Sequence, residues 1–214
     1  ITGTLALVTL ALIMSVPIGI LTALYLTEIK GRFTAPIRFL VQAMSGVPSI
    51  VAGLFILSAI LYPITKSFSG FMGALALTIL MIPTIARTSE EVLNLIPNDL
   101  REAGVALGGT QWRTVAMIVL PAAKSGLITA VILGVARIAG ETAPLLLLTG
   151  GGDKVNANAF SGPLGSLPYY IWKSFNAGSP EALTRAWAGL LVLVGLVLVL
   201  FTFARYLGSK KSSK

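Results

Sequence analysis

Five apolar runs, each long enough to cross a bilayer, constrain this chain more than any other feature. A helix needs about 20 mainly apolar residues to span the hydrocarbon core. Runs of that kind lie at about 4–27, 39–62, 70–93, 114–148 and 183–206. Only 11% of the residues are charged and the mean hydropathy is +0.88, whereas a soluble domain carries about 25% charged residues. The chain lacks the polar surface to face water all round. It is read as an all-α integral membrane protein, a single transmembrane domain over 1–214. The fourth run is too long for one straight span, and Pro121 is expected to bend an entry portion away from the part that crosses. The chain opens on Ile1, almost inside an apolar run, so an upstream segment is expected to be missing. No basic region precedes that run, so no signal peptide is read.

The net charge of +8 does not indicate nucleic acid. The basic residues sit at the ends of apolar runs and form no stripe with interleaved aromatics. Instead they orient the bundle. Lys30, Arg32, Arg38, Arg101, Arg113 and the tail lysines Lys210, Lys211 and Lys214 fall on one side, and the sparser Lys66, Lys154, Lys173 and Arg185 on the other. The denser side is cytoplasmic by the positive-inside bias. Five spans then leave Ile1 at the outer face, and a further N-terminal helix would return the N-terminus to the cytoplasm. With no Cys and no His, disulfides and zinc sites, and Cys or His nucleophiles, are excluded within the chain.

Between the third and fourth runs lies a polar loop at about 97–113. Pro97 ends the preceding helix. Asp99 stands three residues before Glu102, a spacing that predicts a capping box with Asp in the Ser/Thr place. Leu100, Ala103, Gly104 and Leu107 fall on one face of a short helix, Gly108-Gly109 ends it, and Thr110 caps the next. Ala103 and Gly104 make a shallow surface that another backbone can approach. The alternative is an ordinary capped helix in a loop. The outer loop at about 149–182 ends in Ser166-Leu167-Pro168-Tyr169-Tyr170-Ile171-Trp172-Lys173. There Ser166 is expected to cap a helix with Pro168 in its first turn. Its aromatics suit the headgroup level and are read first as an interfacial anchor, a reading compatible with docking of a partner protein.

Ionisable residues inside a membrane mark pathways by default. On a continuous helix, Gly126, Ala130, Gly134, Arg137 and Glu141 share one arc of about 80°. Arg137 is expected to pair with Glu141 when a path is closed and to meet a passing anion when it opens, since an Arg fork suits tetrahedral oxyanions. Arg87, near the inner end of the third run, is either a path residue or the partner of Glu90 or Glu91. Pro144 leaves the Gly140 carbonyl without its helical donor. Gly46-Val47-Pro48-Ser49 interrupts the second run and is read as a packing kink ahead of a substrate contact.

Two resemblances narrow the class. Glu102-Ala103-Gly104, three residues, Gly108, nine residues, then Ile118-Val119-Leu120-Pro121 resembles the coupling motif of ABC importer permeases, with Gly104 in place of its second Ala. Arg137-Ile138-Ala139-Gly140-Glu141-Thr142-Ala143-Pro144-Leu145 and Gly46-Val47-Pro48-Ser49-Ile50-Val51-Ala52-Gly53-Leu54-Phe55 are similar to signatures of the PstA family of phosphate-importer permeases. The resemblance implies a type I ABC importer transmembrane domain with six spans in the full protein, in a bacterial inner membrane. It implies a sister permease, PstC, and two copies of the ATP-binding subunit PstB. An external phosphate-binding protein would deliver the substrate. It places Asp99, Glu102, Ala103, Gly104, Leu107 and Gly108 at the ATPase contact, and Arg87, Arg137 and Glu141 in the translocation path. No cofactor is expected in this chain, ATP and Mg being bound by the partner. The chain is accordingly read as a non-catalytic permease subunit.

Two rivals remain. One is a permease of the same class for another oxyanion or small solute. The more distant is a self-contained transporter or channel driven by an ion gradient, which would need no coupling helix.

Overall fold

A computed structural model describes residues 1–29, 31–152, 156 and 158–210. Lys30, Lys154, Lys211 and Lys214, used above in the charge bias, lie outside them. Ten α-helices are described: α1 Thr2–Glu28, α2 Thr34–Ser45, α3 Ser49–Ile56, α4 Gly70–Asn94, α5 Asn98–Ala106, α6 Gln111–Thr114, α7 Leu120–Ala139, α8 Ala143–Leu148, α9 Leu167–Asn176 and α10 Pro180–Lys210. Two π-helical stretches extend this set. Leu57–Thr65 prolongs α3, and Val115–Val119 joins α6 to α7.

Among the described residues, four single rods are long and apolar enough to cross a membrane: Thr2–Glu28, Gly70–Asn94, Gln111–Ala139 and Pro180–Thr202. At about 1.5 Å per residue each exceeds the hydrocarbon thickness of about 30 Å. The run expected at 39–62 as one kinked span is a bent pair that is long and apolar enough only when taken together, a fifth candidate span if the two halves count as one. Thr34–Ser45 and Ser49–Thr65 meet at 105°, so the break at Gly46-Val47-Pro48 is a turn. Pro48 has no N–H to donate and biases Val47 away from helical angles. The Gly46 and Val47 amides close the end of α2 on the Ala43 and Met44 carbonyls instead.

The fourth run also breaks, after Ala139 and before Ala143. Pro144 cannot donate to the Gly140 carbonyl, and its ring would clash there in a continuing helix. The rod before the break is helical through Pro121: α6, the π-helical Val115–Val119 and α7 follow one another without a gap over Gln111–Ala139. The π-helical step lies immediately before the position where the bend was expected, and the run is interrupted further along, at Gly140.

The centre is α1 packed along α4, with α7 laid across both. Leu7, Val8 and Ala11 of α1, Ala74, Leu77, Met81 and Ile85 of α4, and Ile138 and Ala139 of α7 form the main buried cluster. A second cluster joins Ala23 and Leu24 to Leu93, Val115, Val119 and Ala123 at the other end. The segment leading into α9 closes over the start of α1: the Leu167 amide donates to Thr4 Oγ1 at 2.8 Å. Ser166 caps α9 as its position predicts, accepting from the Tyr169 amide, with Pro168 in the first turn.

Candidate functional site

The polar segment 97–113 builds one end of the bundle. α5 is a separate short helix, as its residues predict, but its cap differs. The N-cap is Pro97 and no side chain closes it. Helix begins at Asn98, so Asp99 already lies in the first turn. There its carboxylate meets the positive end of the helix dipole rather than an orphan amide. At the other end Gly108 takes φ 83, a left-handed conformation that other L residues resist. The Gly108 and Gly109 amides donate to the Val105 and Gly104 carbonyls. Thr110 then accepts from the Arg113 amide and starts α6.

Two faces of α5 divide the expected contact residues. Asp99, Glu102, Ala103, Leu107 and Gly108 are exposed, and Leu107 reaches 88% exposure. Gly104 is buried. A Cβ there would lie 2.5 Å from Thr114 Cγ2 and 2.8 Å from Ile118 Cδ1. The shallow surface expected of Ala103 and Gly104 together is therefore presented by Ala103, while Gly104 is spent on seating α5 against the rod behind it. That accounts for Gly where the resembling motif has Ala.

Arg101 is the residue that sequence reasoning missed. Its Nε and Nη2 donate to Glu28 Oε1 at 3.1 and 3.0 Å. Nη2 also donates to the Leu93 carbonyl at 2.9 Å, and Nη1 to the Ile96 carbonyl at 2.7 Å. The Gln111 side chain adds a bond to the Glu28 carbonyl at 2.8 Å. A signal existed. Glu28 is the last residue of α1, and a carboxylate at a helix C-terminus opposes the dipole unless a cation answers it.

Along the membrane-spanning part, Gly126, Ala130 and Gly134 face inward. The two glycines rest on Val92 and on Met81 and Ile85 of α4. Arg137 extends from this stripe to the exposed side, and Nη1 reaches Thr84 Oγ1 of α4 at 3.5 Å. Glu141 has left the helix, in the Gly140–Thr142 break, so the four-residue spacing does not bring it over Arg137. Arg137–Glu141 is not among the ion pairs of the described residues. Those are Arg38–Glu90, Arg87–Glu91 and Arg101–Glu28. Arg87 takes Glu91, one of the two partners expected. Glu90 is held by Arg38 of α2 at 2.7 Å, a tie between elements that spacing could not reveal. The break also brings the two signature strings together, because Gly53 of α3 packs on Pro144 and Leu147 of α8.

At the opposite end, Tyr169, Tyr170, Lys173 and Arg185 line a cavity of about 510 Å³. Tyr169 and Trp172 lie with ring centroids 6.4 Å apart. No group of three or more acidic residues that could hold a metal is present among the described residues.

The sequence profile described as "Binding-protein-dependent transport system inner membrane component" matches residues 15–213. A protein of Mycobacterium tuberculosis (strain H37Rv), "Phosphate transport system permease protein PstA 1", is 40% identical over 196 residues, covering 91% of this chain and 64% of its own length. The chain therefore spans less than two thirds of that relative. "Phosphate transport system permease protein PstA" of Pasteurella multocida (strain Pm70) is 40% identical over 213 residues, 98% of this chain and 75% of that protein. Among solved structures, an inward-facing form of the MetNI methionine ABC transporter superposes with TM-score 0.77 at 19% identity, covering 98% of this chain and 91% of that one. A bacterial ABC transporter for import of alginate gives 0.73 at 16% identity, covering 98% and 78%. These two likenesses identify the fold as that of type I ABC importer transmembrane subunits.

Proposed function

The chain belongs to the binding-protein-dependent transport system inner membrane component family, and on that premise we propose that it is the permease subunit of an ATP-driven inorganic phosphate importer. It is a multi-pass membrane protein. In this reading the α5 end and the C-terminus face the cytoplasm of a bacterium, and the cavity beside Tyr169 faces outward.

One observation carries the cargo. Arg137, on a membrane-spanning rod, has a neutral hydroxyl as its hydrogen-bond partner. A guanidinium at that depth with no carboxylate paired to it among the described residues calls for an anion, and its fork matches a tetrahedral oxyanion. The names of the relatives at 40% identity support phosphate over other oxyanions.

The parts then act in sequence. Two copies of the ATPase PstB bind ATP and close, drawing together the α5 helix of this chain and that of the sister permease PstC. Glu102, Ala103 and Leu107 meet the ATPase, with Asp99 and Gly108 at the two ends of the contact and Gly104 holding the helix in place. The path bounded by Arg87, Arg137 and Glu141 opens outward, and a phosphate-binding protein unloads into it. Hydrolysis resets the gate. Transport is coupled because ATP and the loaded binding protein favour the same global state. All ATP and Mg chemistry lies in the partner.

The test is ATP-dependent phosphate uptake in liposomes holding the complete complex, with sulfate as competitor. Glu102→Lys should leave ATP hydrolysis running without uptake. Arg137→Ala should abolish uptake while the complex still assembles. Uptake by this chain alone on an ion gradient, or wild-type uptake by Arg137→Ala, would sink the assignment.

A further inference from the structure

We infer that Arg101 is a positioning residue that joins the coupling helix α5 to the inner ends of α1 and α4 as one rigid lever. The inference rests on the importer reading above.

α5 has nine residues. A helix that short is marginal in isolation, so it can carry a push only if it is fastened. Arg101 supplies the fastening on one side. Its donors reach two helices and the connector at once: Glu28 at the end of α1, the Leu93 carbonyl in the last turn of α4, and the Ile96 carbonyl just beyond it. The Leu93 carbonyl already accepts from the Ile96 amide, and Arg101 adds a second donor to it, a donor to the Ile96 carbonyl beyond the helix end, and the answer to Glu28. The pair is enclosed, with the Glu28 side chain 5% exposed and the Arg101 side chain 21%. Gln111 fastens the next helix to the same point on α1.

The geometry separates two jobs within one short helix. Glu102, Ala103 and Leu107 point away from the bundle, and Arg101 points into it. Displacement of α5 then reaches α1 and α4 directly, not only the α6–α7 rod that follows it in sequence. α4 carries Thr84 and Arg87, so the wall against Arg137 moves with the handle. A lysine substitutes only in part, because its single ammonium cannot span acceptors on two helices and their connector as a planar fork does.

The chain contains no Cys, so label sites can be introduced cleanly. Leu21→Cys on α1 and Ala106→Cys on α5, both exposed, would be spin-labelled in the complete complex, and their separation measured without nucleotide and with ATP trapped. The expected result is one unchanged distance in both states, in a complex that still imports phosphate. With Arg101→Gln the distance should spread or shift with nucleotide. Phosphate imported per ATP hydrolysed should fall about tenfold, with the ATPase still co-purifying. Arg101→Lys should fall between the two, and adding Glu28→Gln to Arg101→Gln should cause no further loss. A Leu21–Ala106 distance that changes on ATP trapping with Arg101 intact overturns the inference, and this measurement needs no variant at Arg101. So does wild-type import per ATP in both Arg101→Gln and Glu28→Gln. An unlabelled wild-type complex that shows no ATP-dependent phosphate uptake overturns the importer reading, and the inference with it. A complex that transports while the distance changes overturns the inference alone.

Discussion

Gly53 in α3 and Pro144 in α8 are in backbone contact: a Cβ on Gly53 would stand 2.8 Å from Pro144 Cα and 3.2 Å from Leu147 Cδ1. The residue on the other side is backbone and cannot rotate away. Gly53→Val is therefore expected to overpack the contact and destabilise by about 1–3 kcal/mol. Gly46→Ala meets nothing nearer than the Ala43 carbonyl at 3.6 Å and should leave stability unchanged. Thermal unfolding of both variants in detergent, followed by Trp fluorescence, makes the comparison. Equal midpoints would mean the two helices do not press together at Gly53.

Leu107 separates docking from folding. At 88% exposure it contributes little to the chain's own stability, so Leu107→Asp should leave the unfolding midpoint within about 0.5 kcal/mol of wild type. If it is a buried anchor in the ATPase groove, the same change should cost at least about 2 kcal/mol of association, the scale of an interface hot spot. Retention of the ATPase subunit on an affinity column, at rising salt, reads this directly.

The Arg38–Glu90 pair should behave as a real tie between α2 and α4. Glu90 is 12% exposed and Arg38 46%, so the carboxylate is the member left stranded when its partner goes. Arg38→Ala should destabilise by about 1–3 kcal/mol. In the double-mutant cycle with Glu90→Ala, the coupling should exceed about 0.5 kcal/mol. Additive losses would show that α2 is held by its apolar contacts, Val41 foremost, and not by the ion pair.

Ser89 Oγ, within α4, is buried without a hydrogen-bond partner among the described residues. Burying an unpaired hydroxyl costs about 1–3 kcal/mol, so Ser89→Ala should stabilise by about 1 kcal/mol or leave stability unchanged. A clear drop in the unfolding midpoint would show that the hydroxyl has a partner within the assembled complex. Thr114 Oγ1 is unpaired in the same way, but its methyl seats against Gly104, so removing it would confound the two effects.

The amino-acid order alone determined the membrane class, the approximate placement of the apolar runs, the separate helix at α5 and the caps at Thr110 and Ser166. Each follows from run length or from one to four neighbouring residues, and local chemistry is enough to decide it. Pro144 was visible too, and with it the loss of a donor to Gly140. The structure shows that loss as a true break, with Gly53 of α3 packed against Pro144 beside it. Only the tertiary structure decided that Arg137 faces Thr84 rather than Glu141, since a helix spacing holds only while the helix continues. It alone assigned Glu90 to Arg38 and Glu28 to Arg101, pairs 52 and 73 positions apart, because a charge far along the chain leaves no periodic trace of its partner. Gly104 shows the same division at one residue. Sequence marks it as a small residue in a short helix, and only packing decides which neighbour uses the space.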